Sequence, residues 1–170
     1  MISVLYDDYS NLNILFDEIY KENKSKSIYV SNSNSHKQKY NKIVSTNSYE
    51  NIQQLIINTQ KIVSDNHFNI NPSRYYVEFH KYFVNGKTKP FFGFHQDDGG
   101  AVPYKTVTCI YYLTKNDTIE GGDLEFKNKK VIDIKQNMLV IFNGNLKYRE
   151  TPMDGNGILK SIVIQFERLT

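Results

Sequence analysis

Residues 91–126, which read FFGFHQDDGGAVPYKTVTCIYYLTKNDTIEGGDLEF, decide the fold of this chain. The stretch opens with His95-Gln96-Asp97 on a glycine-rich turn and continues into residues 106–113, whose β-branched and aromatic side chains predict a strand. Because alternate side chains of an extended chain share a face, we expect His95 and Asp97 to point at one place. An imidazole nitrogen and a carboxylate oxygen are two of the three ligands in the facial triad of non-haem Fe(II). The pair therefore indicates a metal site, although the same spacing also fits an ordinary surface turn.

Composition favours a single compact domain over residues 1–170. The chain has 39% hydrophobic and 14% aromatic residues, enough for one buried core. Its 21 Lys and Arg against 18 Asp and Glu are spread along the sequence, so no nucleic-acid partner is expected. The one cysteine, Cys109, excludes an internal disulfide and is predicted to be a buried thiol. With neither a signal peptide nor an apolar run of about 20 residues, the expected protein is soluble, cytoplasmic and monomeric, without a membrane partner.

The apolar periodicity separates a helical first part from a β-rich second part. Residues 10–23 and 48–66 carry apolar side chains at helical spacing and predict two packing helices. Between them, the polar tract 24–47 predicts a hairpin or a mobile loop, in which His36 is expected to be solvated. Short strands are predicted at residues 75–83, 104–113, 122–127, 130–134, 138–143, 146–150 and 158–168.

This order of elements predicts a mainly β fold with supporting helices. The expected architecture is a double-stranded β-helix, or jelly roll, with the N-terminal helices packed on the sheet. Residues 1–70 would supply the helical support and the polar loop, and residues 71–170 the jelly-roll core.

Three segments in the second part resemble the core of a known enzyme superfamily. HQDDGG at 95–100, VTCIYYLTKN at 107–116 and GGDLEF at 121–126 are similar to the 2-oxoglutarate- and Fe(II)-dependent oxygenases, most of all the prolyl hydroxylases of the hypoxia-sensing type. The resemblance covers residues 74–168. It implies a dioxygenase that uses Fe(II), 2-oxoglutarate and, as a reductant, ascorbate to hydroxylate a prolyl residue in a peptide or protein. Residues 24–47 and 84–90 are the candidate substrate loops.

The position of the co-substrate is suggested first by Lys160. It heads a strand face that is otherwise apolar, and a buried ammonium needs an anionic partner such as a dicarboxylate. The alternative is a lysine at a strand end that reaches solvent. The resemblance implies that Lys160 and Tyr112 bind the distal carboxylate of 2-oxoglutarate, and that Thr108 and Tyr82 complete the co-substrate site.

The third metal ligand departs from the pattern of the superfamily, because Tyr148 stands where a histidine is expected. Four outcomes remain open. Tyr148 could bind as a phenolate, since a metal lowers the pKa of the phenol. Glu150 or His80 could supply the third ligand instead. Otherwise His95 and Asp97 bind metal weakly or not at all, and the chain is a catalytically impaired peptide-binding module. The sequence assigns the catalytic and metal-binding roles to His95, Asp97 and Tyr148.

Overall fold

The computed structural model describes residues 1–22, 28–29, 40–44, 50–86, 92–100 and 102–170, and for 28–29, 40–44 and 92 it describes the backbone alone. Within these ranges the chain forms, in order, β1 (Ile2–Tyr6), α1 (Ser10–Glu22), β2 (Ile28–Tyr29), β3 (Tyr40–Val44), α2 (Glu50–Asp65), β4 (Ile70–Val84), β5 (Phe92–His95), β6 (Thr106–Lys115), β7 (Ile119–Glu120), β8 (Leu124–Phe126), β9 (Val131–Ile132), β10 (Met138–Asn143), β11 (Tyr148–Glu150), β12 (Asp154–Gly155) and β13 (Gly157–Arg168).

The strands form two main antiparallel sheets. The larger has seven strands in the order β1-β10-β6-β13-β4-β3-β2, and the smaller has four in the order β5-β11-β8-β9. A short pair, β12 and β7, lies apart from both. Most neighbours in the two sheets are not consecutive in sequence, as the crossovers of a jelly roll require, and the predicted mainly β fold is confirmed.

The larger sheet has two buried faces. Its outer face packs against α1 and α2 through alternating apolar residues that include Tyr111, Ile162 and Ile164. The helices contribute Phe16 and Leu55 among other side chains. Their apolar residues recur at helical spacing because that face has to be removed from water. The predicted packing of N-terminal helices on the sheet is therefore confirmed.

The inner face of the larger sheet is turned toward the smaller sheet. Here the buried side chains include Ile110, Tyr112 and Val163 from the larger sheet and Phe126 and Tyr148 from the smaller one. Sheets that pack face to face enclose the side chains of both inner faces. The polar groups of the candidate site lie among these inner side chains.

The predicted elements agree with the structure in most places. The helices at 10–23 and 48–66 are confirmed as α1 and α2, and the strand at 138–143 coincides with β10. Cys109 is fully buried and its thiol is free, as expected, and burial raises its pKa. Within the tract 24–47, the antiparallel pairing of β2 with β3 agrees with the predicted hairpin. His36 and residues 87–90 of the candidate substrate loop lie outside the described residues.

The start of one predicted strand needs correction, and β1, β5, β7 and β12 lie outside the predicted strands. The first core strand begins at Ile70 rather than at residue 75, because Asn71 and its neighbours continue the pairing with β13 beyond an irregularity in the register. β1 was not predicted. It is a short strand at one edge of the larger sheet and is held by pairing with β10, a partner far along the chain.

None of the described helices combines the length and the apolar character needed to span a bilayer.

Candidate active site

The turn that carries His95 and Asp97 is anchored to the larger sheet. The backbone N–H of Asp97 donates to the carbonyl of Gly144 over 2.9 Å, and that of Asp98 donates to the same oxygen over 3.1 Å. A side chain at Gly144 would collide with the hydroxyl of Thr106, whose oxygen lies 1.8 Å from the place of a Cβ atom. The Asp98 carboxylate in turn accepts the backbone N–H of Thr106 at 2.7 Å. The close approach of Gly144 to Thr106 and these hydrogen bonds fix the turn at the end of β5.

His95 and Asp97 lie side by side, as their spacing predicts. The His95 Nδ1 lies 2.8 Å from the carbonyl of Gly93, a contact in which Nδ1 carries the hydrogen and donates it. The opposite ring nitrogen, Nε2, lies 3.7 Å from Asp97 Oδ1. A histidine whose other N–H is held by a backbone carbonyl has the tautomer and orientation of a metal ligand.

Asp97 is buried and held by two hydroxyl groups. Its side chain is 5% exposed. The hydroxyl of Thr108 donates a short hydrogen bond to Oδ2. The phenol of Tyr148 donates to Oδ1 at 3.2 Å and lies 3.3 Å from Oδ2. Burial raises the pKa of Asp97 above its ordinary value, and the Thr108 hydroxyl and His95 oppose that rise. Thr108, whose role at the co-substrate stays a prediction, thus positions the carboxylate of Asp97.

Tyr148 is the third residue of this cluster, next to His95 and Asp97. It is the cross-strand neighbour of His95, and the two ring centroids are 4.3 Å apart. The ring also packs against Phe126 and Phe142. Burial, reinforced by the negative charge of Asp97, raises the pKa of the phenol well above 10. Tyr148 is therefore a neutral hydrogen-bond donor in the metal-free protein.

Lys160 does not lie at this site. The prediction that it binds the distal carboxylate of 2-oxoglutarate is wrong, because its side chain points to the opposite face of the sheet. Its ammonium nitrogen lies 2.6 Å and 2.9 Å from the two carboxylate oxygens of Asp17 in α1. It also lies 5.6 Å from the ring centroid of Phe16. The lysine does find an anionic partner, but on the outer face of the larger sheet. The expected dicarboxylate would have to sit on the inner face, on the side of His95 and Asp97.

The remaining predicted side chains do face inward. Tyr82 is buried, and its hydroxyl donates a short hydrogen bond to Glu150. His80 pairs with Glu78 through Nε2 and Oε2 at 2.7 Å. Burial raises the pKa of Glu150, opposed by the Tyr82 hydroxyl and by His80. Tyr112 is fully buried.

Comparison with known proteins gives no match to any protein-family model and no significant similarity to a curated protein sequence. Comparison with solved structures does give matches. A prolyl 4-hydroxylase from Pseudomonas putida superposes with a TM-score of 0.70 at 12% identity, over 98% of this chain and 92% of that one. A 2OG-Fe(II) oxygenase family protein from Burkholderia pseudomallei gives 0.68 at 13% identity, over 99% and 86% of the two chains.

A third similar structure is a prolyl hydroxylase from Trichoplax adhaerens in complex with a peptide fragment of the hypoxia-inducible factor oxygen degradation domain. Its TM-score is 0.68 at 14% identity, over 98% of this chain and 83% of that one. The chain has the 2-oxoglutarate oxygenase fold. Its similarity to prolyl 4-hydroxylases, which the sequence segments suggested, holds at the level of architecture along nearly the whole chain.

Within this oxygenase fold the donor set fits a metal ion held by two protein ligands. Metal bonds to nitrogen and carboxylate oxygen of about 2.0–2.2 Å, as in zinc sites, can bridge the gap between His95 Nε2 and Asp97 Oδ1. Among the described residues, no three His, Cys, Asp or Glu side chains are arranged to hold a metal. Neither Glu150 nor His80 therefore completes a triad in this conformation, and Tyr148 occupies the remaining corner.

The sequence analysis missed one inner residue of the oxygenase fold, Ser161. On β13 the outward residues are apolar apart from Lys160, as a helix-covered face requires, whereas the inward residues Leu159, Ser161, Val163 and Gln165 mix polar with apolar. A mixed face is the one expected to line a polar site. That contrast was readable in the sequence and pointed away from Lys160.

Proposed function

We propose that this protein is a 2-oxoglutarate- and Fe(II)-dependent oxygenase. The observation that carries the proposal is the pairing of His95 with the buried carboxylate of Asp97 inside a jelly roll of the oxygenase type. His95 and Asp97 would hold the iron. Bound iron would supply the oxidation, in which 2-oxoglutarate and dioxygen give succinate and carbon dioxide while one oxygen atom enters the substrate.

Hydrogen bonds with neighbouring residues fix the orientation of His95 and Asp97. The Gly93 carbonyl holds the ring of His95, and the Thr108 hydroxyl holds the carboxylate of Asp97, so both ligands are oriented before a metal arrives. The phenol of Tyr148 stands beside Asp97 and would meet the metal either directly or through a water molecule. The burial of Asp97 strengthens the electrostatic attraction between its carboxylate and a cation.

The substrate we propose is a prolyl residue in a peptide or protein. The peptide-bound structure from Trichoplax adhaerens supports this class.

Succinate formation tests the proposed activity. With Fe(II), 2-oxoglutarate and ascorbate, the wild-type protein should convert 2-oxoglutarate to succinate, and His95→Ala should abolish the conversion because one of two protein ligands is gone. His67→Asn is the matched control. His67 is exposed between α2 and β4 with φ 64°, a conformation that asparagine tolerates, so this variant should keep full turnover.

Equal succinate formation by the wild-type protein and His95→Ala would contradict the proposal, since the turnover would then come from a contaminant or from free iron.

A second function, a metal-independent peptide-binding module, is favoured by one observation. The phenol of Tyr148 is neutral and hydrogen-bonded to Asp97, so the third corner of the cluster is already satisfied without a metal. Such a module should bind proline-containing peptides with the same affinity with and without a chelator. The oxygenase should lose part of its peptide affinity when the metal is removed. Calorimetry on one peptide under both conditions separates the two functions.

A further inference from the structure

A β-bulge near the end of β6 turns Lys115 toward the interior. The register between β6 and β13 shifts by one residue after Tyr112. Without the shift, alternation from Tyr112 would place Lys115 on the helix side of the sheet. Thr114 takes that side instead, and its hydroxyl donates to Asn13 of α1 at 3.3 Å. Lys115 therefore points to the inner side, where its ammonium donates to the carbonyl of Ile134 at 3.1 Å.

The ammonium of Lys115 is mostly buried but only loosely paired. Its side chain is 12% exposed, and the oxygen with which it pairs, Asp123 Oδ1, lies 3.5 Å away. That oxygen already accepts the backbone N–H of Ile134 at 3.2 Å. Lys160, which is 11% exposed, instead bonds both carboxylate oxygens of Asp17, at 2.6 Å and 2.9 Å. Because an ammonium has three hydrogens and a poorly paired buried charge is costly, Lys115 can accommodate a further anion.

A cavity of about 450 Å³ lies beside this ammonium. The turn after β6 contributes Lys115 and Ile119 to its lining, and the segment before β10 contributes Ile134 and Lys135. The two isoleucines are buried, with exposed fractions of 5% and 1%. Cavities of about 300–1,000 Å³ that combine apolar side chains with a few polar groups are the usual sites of small ligands.

The charge at the base of this cavity is positive. Lys115 is mostly buried there, whereas the other charged lining residues, Asp117 and Lys135, are exposed. Water and salt screen exposed charges, so the buried ammonium dominates the choice of ligand. Lys135 pairs with Asp133 at 3.6 Å, and both side chains are more than half exposed. Such a pair is weak, so Lys135 stays available to an anion at the rim.

We propose that this cavity binds a small organic anion, namely a carboxylate or a phosphate monoester with a short apolar part. The anionic oxygens accept hydrogens from Lys115, and Lys135 adds a second attraction at the rim. The apolar part lies on Ile119 and Ile134.

This anion site is separate from the proposed metal ligands. Thr108, which holds Asp97, lies seven residues before Lys115 on β6. With a strand rise of about 3.3 Å per residue, the two positions are roughly 20 Å apart along the strand. The anion site therefore goes beyond the proposed oxygenase function and does not depend on it.

NMR titration of the full chain tests the anion site with three probes of similar shape. Butyrate and butyl phosphate should shift the backbone amide signals of Asn116 and Gln136, which line the cavity, with roughly millimolar affinity, and leave the signal of Asp97 unchanged. The tighter of the two probes identifies the preferred anionic group. Butylammonium, which has the same alkyl chain and the opposite charge, should not bind.

Three variants locate the binding. Lys115→Met should weaken butyrate binding roughly 10- to 100-fold, the loss expected for a hydrogen bond to a charged group. Lys135→Glu changes an exposed side chain, so it should fold normally, and it should weaken butyrate binding roughly 3-fold or more. Lys160→Met is the matched control, because it removes an equally buried lysine that does not line the cavity. It should lower stability through the lost pair with Asp17 and leave butyrate binding unchanged.

Three results would overturn the anion site. The wild-type protein could bind neither butyrate nor butyl phosphate at these residues. Butyrate could bind equally well to the wild-type protein, Lys115→Met and Lys135→Glu. Butylammonium could bind as tightly as butyrate, in which case the cavity would hold the alkyl chain regardless of charge. Each of these results leaves the oxygenase proposal standing, since that proposal is tested by succinate formation.

Discussion

Asp97→Asn is expected to lower the affinity of the protein for Mn(II) or Fe(II) by about 100-fold or more. Changes to residues that merely support a metal ligand commonly cost 10- to 100-fold, and this substitution removes the charge of a ligand itself. The substitution keeps the shape of the side chain and an oxygen that can accept the Thr108 hydroxyl. Because burial raises the pKa of Asp97, a neutral amide should be tolerated without loss of stability in the metal-free protein. Metal titration and urea denaturation of the same preparation measure the two effects.

The neighbouring Asp98 provides the control for this experiment. Its carboxylate accepts hydrogen bonds from Thr106 and lies 3.4 Å from a nitrogen of Arg168, so it anchors the turn and does not face the ring of His95. Asp98→Asn should lower the free energy of unfolding by about 1 kcal/mol through the weakened charged contact and leave the metal affinity nearly unchanged. Equal metal affinities in Asp97→Asn and Asp98→Asn would exclude Asp97 as a ligand.

Tyr148→His is expected to raise the metal affinity about 10- to 100-fold and to increase succinate formation. Tyr148 is the cross-strand neighbour of His95 and donates to Asp97, so a shorter imidazole at this position would be directed at the same ion. Two histidines and one carboxylate form the complete facial triad of non-haem Fe(II). In the native chain the phenol has to lose its proton to bind directly, against a pKa that burial raises. Metal titration followed by a succinate assay measures both gains.

Tyr148→Phe separates a direct ligand from a hydrogen-bond donor. A phenolate bound to Fe(III) gives a visible charge-transfer band, which should be present in the wild-type protein loaded with Fe(III) and absent in Tyr148→Phe. If Tyr148 meets the metal only through a water molecule, the wild-type protein stays colourless. Tyr148→Phe then still binds metal more weakly than the wild-type protein. A Tyr148→His variant with the metal affinity and turnover of the wild-type protein would show that this position does not face the metal.

The architecture could be predicted from local sequence because the apolar residues of its elements recur at the spacing of a helix or of a strand. Residues 138–142 form a short run of buried apolar side chains that Asn143 ends, so the bounds of β10 agree with the prediction. Helices α1 and α2 follow from apolar side chains at helical spacing. β1 escaped prediction because its five residues gain their pairing from β10, more than a hundred residues later, and nothing nearby marks them as an edge strand.

The candidate site was only partly predictable, for a reason that Lys160 illustrates. Alternation along β13 separates its residues into two faces, and the mostly apolar face that carries Lys160 is the one that meets the helices. Lys160 was assigned inward on chemical grounds, and its actual partner, Asp17, lies 143 residues earlier in the chain. The neighbouring position, Ser161, faces inward instead. By contrast, His95 and Asp97 are two residues apart on one extended segment, so their proximity follows from local geometry alone.

Anomalous X-ray scattering from crystals soaked with Mn(II) and 2-oxoglutarate tests the central claim most directly. The account predicts one strong manganese peak within about 2.0–2.2 Å of both His95 Nε2 and an Asp97 carboxylate oxygen, with the Tyr148 hydroxyl turned toward the peak. An empty site, with the Tyr148 phenol still hydrogen-bonded to Asp97 and manganese bound elsewhere, would contradict it.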